Sequence, residues 1–194
     1  MNSAAATHSR TALPNDIPWH QSVGLLLGAV QVENLLKQLY QWADSPAVNV
    51  LYLGTRFAVL KHVSPCLVQI EREDDSILAQ FLENLGQQWG YLLISDGPWE
   101  QLVAHLRWLI SIEHPSGQEM LLRIASTDVA DALFESADAA LFGPCQRIIT
   151  ADRTNGGWCQ YTRPGEIHEP NRDTPYRLTE NNGSVWTTPA LVKS

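Results

Sequence analysis

Short apolar runs alternate along this chain with segments whose apolar residues recur every three or four positions. The apolar runs occupy residues 23–30, 67–70, 91–95 and 120–124. The segments with helical spacing occupy residues 32–43, 77–85, 98–110 and 127–134. Short apolar runs are typical of buried strands, and the three-four spacing is typical of amphipathic helices. The alternation predicts an α/β domain in which helices flank a mixed, largely parallel sheet.

The predicted domain ends in a hairpin. Two short strand-like segments, 147–150 and 158–162, flank Asn155-Gly156-Gly157, and these residue types supply the positive φ angles of tight turns. We expect this hairpin to add an antiparallel edge to the sheet, so that residues 20–162 form the folded domain.

The two ends of the chain lack this periodicity. Residues 1–19 are rich in Ala, Ser, Thr and Pro, and we expect them to form a mobile leader. After Thr162, prolines separate polar residues up to position 194. Residues 163–194 are therefore expected to form an extended tail with little core of its own.

Several polar residues and glycines stand where helices are predicted to begin or end. Asp74 or Asp75 is expected to cap the N-terminus of helix 77–85, and Gly86 its C-terminus. Asp96 stands before Pro98, at the start of the next helix, and it is a candidate cap there.

The composition excludes several classes of protein. Thirteen Lys and Arg residues against 21 Asp and Glu give a net charge of −8, which is the wrong sign for a general nucleic-acid binder. The apolar runs are far shorter than the roughly 20 residues that cross a bilayer, and the first residues lack the apolar segment of a signal peptide. We therefore expect a cytoplasmic protein.

The common signatures of catalysis and metal binding are absent from the sequence. It contains no GxxxxGK[ST], GxGxxG, GxSxG or HExxH motif, and its three cysteines show no CxxC spacing. The sequence therefore predicts neither a cofactor nor a metal site, and it predicts no enzyme.

Two charged residues keep an alternative open. Asp96 follows an apolar strand, at the kind of edge where α/β sheets gather ligands, although capping a helix is the more ordinary role. Arg123 interrupts an apolar strand, where it binds an anion in a site or pairs with a neighbour such as Asp128 or Asp131. Asp96 and Arg123 together define the alternative, a small α/β enzyme or a ligand-binding regulatory module with its site at the strand ends.

Aromatic residues near the C-terminus are candidates for binding a partner, because aromatic side chains are enriched at protein interfaces. These candidates are Trp158, Tyr161, Tyr176 and Trp186.

Several segments resemble the DUF4123 family. Leu51-Tyr52-Leu53-Gly54-Thr55 followed by Ser64-Pro65-Cys66-Leu67-Val68 is similar to its opening G-T … P-x-L-V pattern. Leu102 to Arg107 resembles its L-x-x-H-L-R segment, and Met120 to Ile124 with Leu141-Phe142-Gly143-Pro144 resembles its closing pattern. The motif residues are Gly54, Pro65, Arg123, Phe142, Gly143 and Pro144. The resemblance covers residues 23–150.

The resemblance implies an adaptor chaperone of the bacterial type VI secretion system. Members of the family bind a cognate toxic effector and help to load it onto the spike protein, so the expected partners are that effector and the spike. Two departures stand out: Ser126-Thr127-Asp128 replaces the family's Asp-Pro, and the long C-terminal lobe of many members is reduced to residues 163–194. We expect the client to be bound by the core, by strand addition at the 147–162 edge, or by this tail.

Overall fold

The computed structural model describes residues 13–152, 154–166 and 172–179. The strands within these ranges are β1 Ser22–Leu27, β2 Val48–Val50, β3 Cys66–Ile70, β4 Gly90–Ser95, β5 Ser111–Glu113, β6 Glu119–Leu121, β7 Cys145–Asp152, β8 Gly157–Thr162 and β9 Tyr176–Arg177. The α-helices are α1 Leu35–Trp42, α2 Ser76–Glu83, α3 Trp99–Leu109, α4 Thr127–Glu135 and α5 Ala139–Phe142, with 3-10 helices at Ala58–Val63 and Leu85–Gln87.

Six strands form the main sheet, in the order β2-β3-β1-β4-β7-β8, and every neighbouring pair is antiparallel. The α/β class predicted from the sequence is confirmed, but the prediction of a largely parallel sheet is wrong. Helix α1 does connect strands of the same direction, β1 and β2, and α2 likewise connects β3 and β4. In each case another strand lies between the two and runs the opposite way, so no parallel neighbours result.

Alternating side chains of the strands fill two apolar layers, one on each face of the sheet. In β1, Leu25 and Leu27 face the layer that contains α1 and α2, whereas Leu26 faces the layer that contains α3, α4 and α5. In β4, Leu92 faces the layer with α1 and α2, and Leu93 faces the layer with α3, α4 and α5. Because both faces are covered, these strands are continuously apolar in sequence even though the sheet is antiparallel.

The predicted hairpin is present. Strands β7 and β8 pair in register from Arg147–Thr162 to Asp152–Gly157. The Asp152 carboxylate accepts hydrogen bonds from the backbone N–H groups of Thr154 and Asn155, at 2.8 and 3.1 Å. Gly156 has the positive φ of 69° that the turn requires.

The strand predicted over 120–124 belongs to a second, three-stranded sheet. In that sheet β5 pairs with β6 antiparallel and with β9 parallel. Strand β9 comes from the predicted tail, and Tyr176 and Leu178 are buried in the core layer with α3 and α4. Residues 172–179 thus differ from the extended tail expected for 163–194, because two apolar side chains in this polar stretch reach the core.

The described part of the predicted leader is also packed. Leu13 and Ile17 are buried in the layer with α1 and α2. Asp16 pairs with Arg147 of β7, with an Nη1–Oδ2 distance of 2.6 Å. Residues 1–12 lie outside the described part of the chain.

Of the three helix caps discussed for the sequence, the structure contains one and differs at the other two. The Asp75 carboxylate accepts from the N–H groups of Ile77 and Leu78, as a cap of α2. The C-terminal cap of α2 is Asn84, since Gly86 lies in the following 3-10 turn. At α3 the capping position is Pro98, so Asp96 does not cap that helix.

Candidate protein-binding surface

The loop between β2 and β3 is held at the edge of the main sheet by residues of the first family-like motifs. Gly54 has a φ of 77°, which favours glycine, and the Thr55 hydroxyl donates to the Tyr52 carbonyl at 2.7 Å. The Tyr52 N–H donates to the Ser64 hydroxyl at 2.9 Å, and the Leu51 N–H donates to the Pro65 carbonyl at 3.0 Å. These contacts fix the 3-10 helix Ala58–Val63 beside β2.

A groove of about 480 Å³ lies between this loop and helix α1; we call it the α1 groove. Its apolar lining residues are Ala29, Leu35, Leu36, Val50, Leu53 and Cys66, and its polar lining residues are Asn34, Lys37, Lys61, His62 and Ser64. Helix α1 stands at one side because Leu35 and Leu39, four residues apart, are both buried against the sheet.

Large apolar side chains are exposed around this groove. Leu36 is 43% exposed and Leu53 is 44% exposed, and both line it. Tyr40, four residues after Leu36 on α1, is also exposed, as are Val30, next to the lining residue Ala29, and Val59 in the 3-10 helix. Of the six large apolar side chains that are exposed in the described residues, two line the groove, Tyr40 and Val59 lie on the helices that border it, and Val30 lines a separate small cavity with Arg123.

The charge around the α1 groove is opposite to that of the whole chain. The chain carries a net charge of −8 and has three lysines, and Lys37 and Lys61 both line the groove. Among the described residues, no acidic side chain lines it. Glu33 is next to the lining residue Asn34 in sequence and accepts a hydrogen bond from the Asn34 amide at 3.3 Å.

Asp96 lies at the opposite end of the sheet, paired with Arg163. Both Arg163 Nη atoms donate to the carboxylate, at 3.1 and 2.8 Å, and the guanidinium also donates to the Gly143 carbonyl at 3.3 Å. The hydrogen bond from Arg163 lowers the pKa of Asp96. Asp96 is therefore ionised and engaged in a fork-like ion pair that joins β4, β8 and the loop before β7.

The structure does not bring Asp96 and Arg123 together. Asp96 follows Ser95, which pairs with Ser22 at the start of β1. Arg123 is exposed and lines a small cavity with Gly28, just beyond the other end of β1. Strand β1 separates the two residues, so the site at the strand ends that would combine them is not formed. Arg123 also lies after β6 rather than inside a strand.

The remaining family-like motif surrounds a buried histidine. The His105 ring lies against Gly143, whose φ of 51° and lack of a Cβ allow this contact. His105 Nε2 bonds to the Leu141 carbonyl at 2.8 Å, while Nδ1 is buried without a hydrogen-bond partner in the described structure. Burial lowers the pKa of His105 to about 4. Phe142 packs on Phe134, and the Pro144 carbonyl accepts a hydrogen bond from the Ser95 hydroxyl at 3.1 Å.

The four aromatic candidates have different surroundings. The Tyr161 hydroxyl donates to Asp131 at 3.0 Å, and Asp131 also accepts from Thr150, so Asp131 serves this pair rather than Arg123. The Tyr176 ring is buried edge-on against Trp108, and its hydroxyl donates to Asp138, so it stabilises the fold.

Trp158 is half-buried against the layer with α1 and α2. It lies on β8, the outer strand of the sheet. Trp186 lies outside the described residues.

No group of three or more His, Cys, Asp and Glu side chains that could hold a metal occurs within residues 13–152, 154–166 and 172–179. The three cysteines are free thiols, and burial raises the pKa of Cys66 to about 12. The helices of the described part are all too short or too polar to traverse a lipid bilayer.

Sequence reasoning missed both the α1 groove and the partner of Asp96. The signal for the groove is local: Leu36 and Tyr40 are spaced four apart on α1, beside the buried Leu35 and Leu39. Arg163 stands at the start of the polar C-terminal stretch, where no sequence pattern connects it with position 96.

Comparison with known proteins gives two matches. The family model described as "Domain of unknown function (DUF4123)" matches residues 25–141. "Accessory protein VasW" of Vibrio cholerae serotype O1 is 31% identical over 154 residues, which are 79% of this chain and 50% of that protein. The chain thus spans half the length of this curated relative. No solved structure matches.

The matched residues run from Leu25 within β1 to Leu141 within α5, and they include the motifs that build one wall of the α1 groove and His105. Because the family model covers 117 of the 194 residues, this chain belongs to the DUF4123 family.

Proposed function

We propose that this chain is an accessory protein of a type VI secretion system, an adaptor chaperone that binds a cognate effector and helps to load it onto the spike protein. Membership of the DUF4123 family and the likeness to an accessory protein support this role. The structural observation that carries the proposal is the cluster of exposed apolar side chains around the α1 groove, since clustered apolar exposure marks protein-binding surfaces.

The proposed partners are proteins, and the proposed location is the cytoplasm. Among the described residues, β8 is a six-residue strand at one edge of the main sheet, and strand addition there is a second proposed mode of contact. Trp158 on that strand and Trp186 are the proposed aromatic contacts of this mode. Tyr161 supports this surface by joining β8 to Asp131, whereas Tyr176 lies on β9 in the second sheet.

Co-expression with the effector encoded beside this gene tests the proposal. The two proteins should elute together in size-exclusion chromatography and remain together at micromolar concentrations. An effector from an unrelated cluster of secretion genes, expressed in the same way, is the control and should elute alone. Separate elution of the chain and its cognate effector would contradict the proposal.

A further inference from the structure

We infer that the α1 groove is the docking site for an amphipathic helix of the effector, with carboxylates on both sides of the helix's apolar stripe. The inference rests on the proposed function, because it assumes an effector, and it adds where the effector binds and what chemistry is recognised. Four observations carry it: the shape of the groove, the exposed apolar side chains, the local positive charge and the short edge strand below it.

The shape and lining of the groove suit a helix. It is bordered by α1 on one side and by the loop with the 3-10 helix on the other, and its lining also includes Val50 and Cys66 of the sheet. Leu36 and Leu53 stand on opposite sides with nearly equal exposure. Helix-in-groove recognition needs this arrangement, in which one apolar stripe at i, i+3, i+4 and i+7 inserts between two apolar walls.

The edge strand beside the groove argues against an added strand at this place. Strand β2 has only three residues, Val48–Val50, and therefore offers few backbone groups for pairing. Recognition here consequently depends on side chains. The α1 groove differs in this respect from the β8 edge, where a strand of six residues offers more backbone groups for pairing.

The two lysines that line the groove favour a helix with acidic residues beside its apolar stripe. Lys37 belongs to α1 and Lys61 to the 3-10 helix, so each border of the groove carries one ammonium group. A helix with Asp or Glu on both sides of its apolar stripe would place a carboxylate beside each lysine. Such rim pairs contribute more to association rate and specificity than to affinity.

The chain's own terminal segments do not have this chemistry. Residues 1–12 contain no Asp or Glu, and residues 180–194 contain only Glu180, together with Lys193. Neither segment has Asp or Glu side chains for both borders of the groove, so charge complementarity favours a separate partner.

The test uses the full chain and the purified effector encoded beside its gene, with affinity measured by calorimetry. The variant Leu36→Glu/Leu53→Glu places a negative charge on each wall, of the same sign as the carboxylates of the proposed helix. We expect it to lower effector affinity at least about tenfold, as loss of central apolar contacts does at protein interfaces. The matched control is Leu121→Glu on β6, because Leu121 is 38% exposed and lies outside the groove. It should bind within about twofold of the wild type, as a change outside the interface does. Thermal unfolding should be unchanged in both variants.

A second pair of variants tests the charge. Lys37→Glu/Lys61→Glu should weaken binding at low salt, and added salt should then restore part of the affinity instead of reducing it. The control is Arg72→Glu, whose side chain is 75% exposed and does not line the groove; it should behave like the wild type.

The outcomes separate the inference from the proposed function. If wild type and the Leu36→Glu/Leu53→Glu variant bind the effector equally, the groove assignment is wrong and the proposed function stands. If the wild-type chain does not bind the effector, both fail. If the variant loses the spike protein but keeps the effector, the occupant is a segment of the spike. If deleting residues 180–194 tightens effector binding and abolishes the effect of the groove substitutions, the occupant is the chain's own C-terminus.

Discussion

The two ends of the main sheet carry different kinds of surface. At the end where β4 leaves the sheet, charged side chains are paired with each other: Arg163 with Asp96, and Arg147 with Asp16. At the end where β1 leads into α1, apolar side chains such as Leu36 and Leu53 are exposed. The charged end contains the residue types that suggest catalysis in sequence, yet those charges stabilise the fold. The apolar end contains no residue that suggests catalysis in sequence, yet it presents the surface that fits a protein partner.

The largest expected effect comes from removing residues 163–194, which contribute to the charged end and to the core. This deletion removes Arg163 and the buried side chains of Tyr176 and Leu178. Each buried apolar side chain is worth about 2–5 kcal/mol, so the free energy of unfolding should fall by about 5 kcal/mol or more, comparable with the whole stability of a domain. Urea unfolding followed by tryptophan fluorescence measures the loss.

The matched control for this deletion is the chain ending at residue 179, which keeps every described contact of Arg163, Tyr176 and Leu178. It should unfold at the urea concentration of the wild type. Equal unfolding midpoints for the chains that end at 162 and at 179 would show that residues 163–179 add no stability. The charged end would then not be distinguished by contacts that stabilise the fold.

Local patterns in the sequence predicted the elements, but the sheet topology depends on contacts between distant residues. The spacing of Ile77, Leu78 and Phe81 predicts α2, and Asp75 predicts its start. By contrast, the spacing of apolar residues does not predict that β3 lies between β1 and β2. A helix can connect two strands that are neighbours in the sheet or two strands that have another strand between them. Arg163 and Asp96 are 67 positions apart, and their pairing follows only from that topology.

The second effect in size concerns His105, which is buried behind the charged end. Burial lowers its pKa from 6.5 to about 4, with an opposing effect of the Leu141 carbonyl and a smaller lowering by Arg172. Between these two values the unfolded chain binds a proton that the folded chain does not. The free energy of unfolding should therefore fall as the pH falls, by about 3 kcal/mol in total between pH 6.5 and pH 4. Urea unfolding at a series of pH values measures this slope.

One variant identifies the source of that slope. His105→Gln should flatten it, because glutamine does not titrate. Hydrogen bonds also lower the pKa values of the carboxylates Asp16, Asp96, Glu119 and Asp152, so the stability that these groups contribute is lost only at lower pH, below the ordinary carboxylate range. A slope between pH 6.5 and pH 4 that survives His105→Gln would assign it to other groups.

The candidate surface was less predictable than the fold for a physical reason. Burial patterns reveal which side chains a fold needs, and Leu35 and Leu39 satisfy that pattern for α1. Leu36 is equally apolar, but only the position of the loop 51–64 determines whether a neighbour covers it. The family-like residues Gly54 and Pro65 are visible in sequence, yet their role as the base of a groove wall emerges only from the contacts of that loop.

The smallest expected change in stability is at the apolar end, and α1 supplies its own control. Leu39 is fully buried, and Leu39→Ala should lower the free energy of unfolding by about 2–5 kcal/mol. Leu36 is 43% exposed, and Leu36→Ala should change it by about 0.5 kcal/mol or less, as is usual for surface positions. Urea unfolding measures both values. A loss at Leu36 as large as that at Leu39 would mean that the Leu36 side chain is part of the core. The residues of both ends would then stabilise the fold, and the apolar end would not be set apart as a binding surface.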